Sequence, residues 1–131
     1  MIVVLDASAA LGIVLKKEKN VRYTEFLADA SAVIAPELCI SQISNAALKY
    51  YRFHGFTRAE AVSLAEDGIA LVDQYIPVEG MWKEALRESI TYDHPVYDAL
   101  YVICARRNDG VLLTNDERLR QLCKKTGVEY F

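Results

Sequence analysis

Short apolar runs alternate along this chain with longer segments of helical periodicity. Ile2 to Leu5 is wholly apolar, as suits a strand buried on both faces. Helices are predicted from about Ser8 to Lys17 and from about Val21 to Ala30. Ala32 to Ala35 reads as the next strand, stopped by Pro36. A long helix then runs from about Glu37 to Phe53 and ends at His54-Gly55. Thr57 and Glu60 form a capping box that opens a helix reaching about Val72. Tyr75 to Val78 reads as a short strand that Pro77 confines to an edge or a loop. Residues 80 to 90 have helical character, Thr91 to Pro95 is a turn, and Val96 to Arg107 is strongly helical. Asp109-Gly110 turns the chain into a strand at Val111 to Leu113. A helix from about Asp116 to Lys125 follows, then a final edge strand at Val128 to Phe131. Strands separated by helices of this length imply a three-layer α/β/α fold around a central, mainly parallel sheet.

Composition narrows the class. The 131 residues fit one domain, 1–131, and 53% hydrophobic with 25% charged residues is the balance of a folded chain. No stretch approaches the roughly 20 apolar residues of a membrane span. The apolar start at Ile2 carries no signal-peptide pattern. Cys39, Cys104 and Cys123 are odd in number, show no Cys-x-x-Cys spacing and fall in predicted helices. They read as reduced, which points to the cytoplasm. A net charge of −3 argues against a general nucleic-acid coat protein. It does not argue against an enzyme that holds phosphates through metal ions, because bound cations invert the field of an acidic pocket.

The candidate chemistry lies in the acids. In an open parallel sheet, ligands bind outside the carboxyl ends of the strands. Asp6 directly follows the first strand, and Asp116 follows Val111 to Leu113 by way of Thr114 and Asn115. Asp98 lies early in the helix Val96 to Arg107, among Tyr97, Ala99, Leu100 and Tyr101. A carboxylate in that setting needs a partner, and a divalent cation shared with Asp6 and Asp116 would supply one. Each acid also has a plainer role, Asp6 as a helix cap and Asp98 and Asp116 as first-turn acids. Carboxylate oxygens are the ligands that Mg²⁺ and Mn²⁺ prefer.

Five segments carry a resemblance. They are Val3-Val4-Leu5-Asp6-Ala7-Ser8-Ala9-Ala10-Leu11, Pro36-Glu37-Leu38, Asn45-Ala46-Ala47-Leu48, His94-Pro95-Val96-Tyr97-Asp98-Ala99-Leu100-Tyr101 and Leu112-Leu113-Thr114-Asn115-Asp116. In this order the chain resembles the PIN-domain family and, within it, the VapC-like toxins of prokaryotic toxin–antitoxin pairs. The resemblance implies a Mg²⁺- or Mn²⁺-dependent ribonuclease with Asp6, Asp98 and Asp116 as metal ligands and Ser8 and Thr114 as the hydroxyls that orient them. It also implies an RNA substrate, a cognate antitoxin and a homodimer.

One position departs from the family pattern. Where the family usually carries a glutamate three residues before the asparagine, this chain has Gln42, followed by Asn45. The spacing keeps both on one helix face, but an amide cannot act as a carboxylate base. Glu37 lies well round the helix from Gln42 at about 100° per residue. Asp93, in the turn before Asp98, is the candidate additional acid, and it can equally be a turn or cap residue. Two outcomes stay open: an active nuclease, or a weakened or inactive PIN domain that binds a partner or RNA. Lys16, Lys17, Lys19, Arg22, Lys49 and Arg52 form either a solvated face or a phosphate track toward the acids. Haloacid-dehalogenase-like phosphatases also open on a strand and Asp but want a second aspartate where Ser8 stands. A phosphoacceptor receiver domain fits no better.

Overall fold

A computed structural model describes the backbone of residues 1–131 and every side chain except that of Lys19, so the basic run is described only at its other members. Strands β1 (Ile2–Leu5), β2 (Ala32–Pro36), β3 (Gln74–Ile76) and β4 (Val111–Leu113) form one sheet in the order β3-β2-β1-β4, with every pair parallel. Val3 of the central strand β1 stands in register with Val33 and Val111, and Val4 with Ile34 and Leu112. Val3, Val4 and Leu5 are fully buried. Each contributes about 1.5–3 kcal/mol of hydrophobic stabilisation.

Parallel neighbours require crossovers, and their right-handed sense distributes the helices over the two faces. Helices α1 (Ala7–Val14), α2 (Val21–Asp29), α3 (Leu38–Phe53) and α4 (Arg58–Ala70) link β1 to β2 to β3 and pack on one another. Helices α5 (Trp82–Tyr92) and α6 (Val96–Arg107) return the chain from β3 to β4 on the opposite face, joined there by α7 (Glu117–Thr126). The result is the expected three-layer α/β/α architecture. The chain winds outward from β1 to β3, then comes back to the far side of β1. That reversal leaves a crevice at the carboxyl ends of β1 and β4, the topological switch point of an open α/β sheet.

Local signals account for most boundaries. The Thr57–Glu60 capping box is formed, with each side chain bonded to the other's backbone N–H. Gly127 closes α7 in the left-handed region at φ 72°. Four differences from the sequence expectations have identifiable causes. Helix α1 stops at Val14 rather than Lys17, because Lys16 takes a left-handed φ of 54°. Pro36 belongs to β2 and is in register with Ile76. Pairing with β1 ends at Ile34, so the missing N–H of Pro36 breaks no ladder bond on that side. Helix α5 runs on to Tyr92, past the predicted start of the turn, and Asp93 closes it in the left-handed region. Val128 to Phe131 forms a parallel bridge rather than a strand, Leu112 to Tyr130, held against β4 by the Leu112 N–H on Glu129 O and the Phe131 N–H on Leu112 O at 2.9 Å each, and by the Thr114 N–H on Phe131 O at 3.0 Å. The three cysteines are buried and free, and burial pushes each thiol up to about 12. No helix among the described residues is long and apolar enough to cross a membrane.

Candidate active site

The crevice is lined by Asp6, Asp98 and Asp116, by Ser8, Gln42 and Asn45, and by Lys49, Tyr97, Tyr101 and Arg118. Four elements deliver these groups. Asp6 ends β1 and caps α1, accepting from the Ala9 backbone N–H at 2.8 Å. Asp116 follows β4 and caps α7, accepting from the backbone N–H groups of Arg118 at 2.9 Å and Leu119 at 3.4 Å. Asp98 sits in the first turn of α6, a helix buried from Asp98 through Ala105. Gln42 and Asn45 project from α3 on the other side of the crevice.

Asp6 is the most enclosed of the acids. Its Oδ1 accepts from Ser8 Oγ at 2.7 Å as well as from Ala9, and its Oδ2 accepts from Thr114 Oγ1. Burial pushes its pKa up from 3.8 to about 6, against the lowering effect of Thr114, Ala9 and Ser8, and the charge of Asp116 adds to the rise. Thr114 is fully buried and serves both acids, since its hydroxyl also accepts from the Asp116 backbone N–H at 2.9 Å. Ser8 Oγ accepts from the Asn115 backbone N–H at 2.9 Å. Asn115 Nδ2 in turn donates to Asn20 Oδ1 at 2.6 Å. Asn20 is buried against Gly12, where a Cβ would lie 2.5 Å from its amide nitrogen, so only glycine fits at position 12.

Asp98 is held differently. Its Oδ2 accepts from Arg118 Nε at 2.8 Å, and Arg118 Nη2 reaches Oδ1 at 3.5 Å. His94 Nδ1 lies 3.8 Å from the same Oδ2. The hydrogen bond and charge of Asp98 raise the Arg118 pKa further. Sequence reasoning did not single out Arg118. It follows Asp116 by two residues on α7, and only the packing of α7 on α6 brings it to Asp98. Gln42 Oε1 accepts from the Tyr101 hydroxyl at 2.7 Å. The structure does not bring Asp93 to the crevice lining: as the left-handed cap of α5 it is exposed. Among the basic residues, Lys49 lines the crevice, while Lys16 and Lys17 line a separate hollow beside α1.

The lining donors are carboxylate and amide oxygens, a hard set that suits Mg²⁺ or Mn²⁺ in chemistry. Among the described residues, no three His, Cys, Asp or Glu side chains gather closely enough to hold an ion between them. The carboxylates are turned to other partners, Asp98 to Arg118 and Asp116 to the start of α7.

No curated protein matches the chain. Among solved structures, the chain is similar to PAE2754 from Pyrobaculum aerophilum, with a TM-score of 0.67 and 22% identity over 99% of this chain and 92% of that one. That likeness shows the fold. The family model for the PIN domain matches residues 3–125. PIN domains are generally metal-dependent nucleases. A match over nearly the whole sequence, on a fold shared with a solved structure, means that the chain belongs to the PIN-domain family.

Proposed function

We propose that this protein is a Mg²⁺- or Mn²⁺-dependent endoribonuclease, the toxin of a toxin–antitoxin pair, acting in the cytoplasm as a homodimer and held in check by a cognate antitoxin. One observation carries the reading: Asp6, Asp98 and Asp116 line the same crevice at the switch point of the sheet. These three would hold the metal once Asp98 and Asp116 turned from the partners they bond, with the amide oxygens of Gln42 and Asn45 beside them. A bound divalent ion there would polarise the scissile phosphate and supply an activated water. The chain's own groups prepare the site. Ser8 and Thr114 hold Asp6 in one orientation, and burial leaves its charge in want of a cation. Lys49 adds a positive charge at the crevice for the phosphate backbone. Arg118 donates to Asp98 across the crevice, so it would compete with a metal for that carboxylate.

A second reading is a weakened or inactive PIN domain that binds a partner or RNA. It is favoured by Gln42, whose oxygen is already bonded by Tyr101 and carries no charge to help hold a metal. Calorimetric titration with Mn²⁺, run beside an RNA-cleavage assay on the parent and on Asp98→Asn, separates the two. The nuclease reading expects binding and cleavage in the parent and the loss of both in the variant. A folded parent that neither binds Mn²⁺ nor cuts RNA overturns it in favour of the binding module.

A further inference from the structure

A second concavity adjoins the acid crevice, and Tyr97 lines both. It has a volume of about 660 Å³, within the range of small-molecule sites. Glu37, Ile40 and Ser41, at the start of α3, form one side, and Val96, Tyr97 and Leu100 of α6 the other. Tyr97 immediately precedes Asp98, yet it is 59% exposed, whereas Asp98 is buried. A large aromatic ring left open beside a buried acid is a stacking platform in search of a flat partner. Among the described residues, the Glu37 carboxylate has neither an ion pair nor a hydrogen-bond donor, and no cation lines the groove. Glu37 is exposed and is the one charged residue of the lining, so the groove disfavours a phosphate and suits a neutral ring with N–H donors.

Resting on the ribonuclease reading, we propose that this groove takes a nucleobase adjoining the scissile phosphate, stacked on Tyr97, and that Glu37 makes guanine the favoured base. The preference follows from donor geometry. An ionised carboxylate only accepts. The Watson–Crick edge of guanine presents its ring N–H and its amino group side by side, so both can be met by one carboxylate. Adenine and cytosine present an amino group next to an acceptor nitrogen, which a carboxylate repels. Uracil presents one N–H between two carbonyls. Ser41 adds a hydroxyl that can meet a remaining acceptor on the base.

The test uses fluorescein-labelled RNA heptamers of uridine, with and without one central guanosine. Affinities are read by anisotropy in EDTA, so that cleavage does not intervene. The guanosine heptamer should bind about tenfold more tightly. Glu37→Gln should bring that ratio close to one, and Tyr97→Ala should weaken both heptamers by about tenfold or more. Equal affinities in the parent, or a ratio that survives Glu37→Gln, overturn the proposal. A Tyr97→Ala variant that changes oligomeric state and leaves RNA affinity untouched gives the groove to a second copy of the chain, and overturns it too. Cleavage in Mn²⁺ completes the separation. A guanine preference in a protein that cuts nothing supports the subsite and removes the nuclease reading. Cutting without any preference removes the subsite alone.

Discussion

Asp6 and Asp98 are exposed to almost the same small extent, 4% and 5%, and they line one crevice, but they are accommodated by opposite means. Asp6, between β1 and β4, is surrounded by neutral donors: two hydroxyls and a backbone N–H. Those bonds fix its direction without cancelling its charge, and its pKa rises to about 6. Asp98, on α6, is met by a guanidinium from α7 whose side chain is 57% exposed. Its charge is balanced by a group that solvent can draw away. Under the proposed function, the difference would separate two duties of a metal-site carboxylate: one is oriented by a rigid frame of neutral donors, and the other is paired with a guanidinium that a bound ion would have to displace.

The frame around Asp6 should be the more costly to disturb. Thr114→Val removes the hydroxyl that bridges Asp6 and the Asp116 backbone while keeping its volume. Mn²⁺ affinity measured by calorimetry should drop by about 10–100-fold. An unchanged affinity would mean that the bridge does not orient the site. The same frame predicts a pH dependence. Because folding raises the Asp6 pKa from 3.8 to about 6, the folded chain binds more protons than the unfolded one between those values. Stability then falls as pH rises through that window, by on the order of 3 kcal/mol once Asp6 is ionised. In EDTA, urea midpoints should decline between about pH 4 and about pH 6.5, Asp6→Asn should flatten the decline, and Mn²⁺ should offset it at the upper end. A flat parent profile would contradict the burial-dominated account of Asp6.

The Asp98 side sharpens the contrast in the other direction. Arg118→Gln removes the competing cation, so Mn²⁺ should bind about tenfold more tightly while the metal-free protein loses about 1 kcal/mol, a modest cost because the guanidinium is largely solvated. Weaker Mn²⁺ binding in that variant would make Arg118 a helper of the metal rather than its stand-in. The smallest effect is expected at Gln42. Gln42→Glu restores a fourth carboxylate to the crevice and should raise Mn²⁺ affinity by about threefold, with a parallel gain in cleavage. If neither moves, the amide at that position is not what limits the site.

Much of this arrangement can be read from the residues in order. The apolar run of β1, the capping box at Thr57, the glycine after α7 and the helix Val96–Arg107 are local signals, and their meaning depends on the neighbouring few residues. The ends of β1 and β4 therefore mark where Asp6 and Asp116 must lie, and parallel topology then brings the two ends together. Asp93 shows the limit of proximity in sequence: five residues before Asp98, it turns outward because it closes α5 in the left-handed region. The ending of α1 at Val14, the lone bridge at Tyr130 and the Tyr101 bond to Gln42 were equally invisible along the chain.

The sequence by itself determined the alternation of strands and helices, the parallel sheet and the two acids at its carboxyl edge, Asp6 and Asp116, because hydrophobic period and capping chemistry act over a few residues. Only the tertiary structure decided that Asp98 of α6 joins them in one crevice, and which partner each acid receives. Thr114 reaches Asp6 across 108 positions and Arg118 reaches Asp98 across 20. Such pairings follow from how the strands register and how α7 lies on α6, and no local preference encodes either.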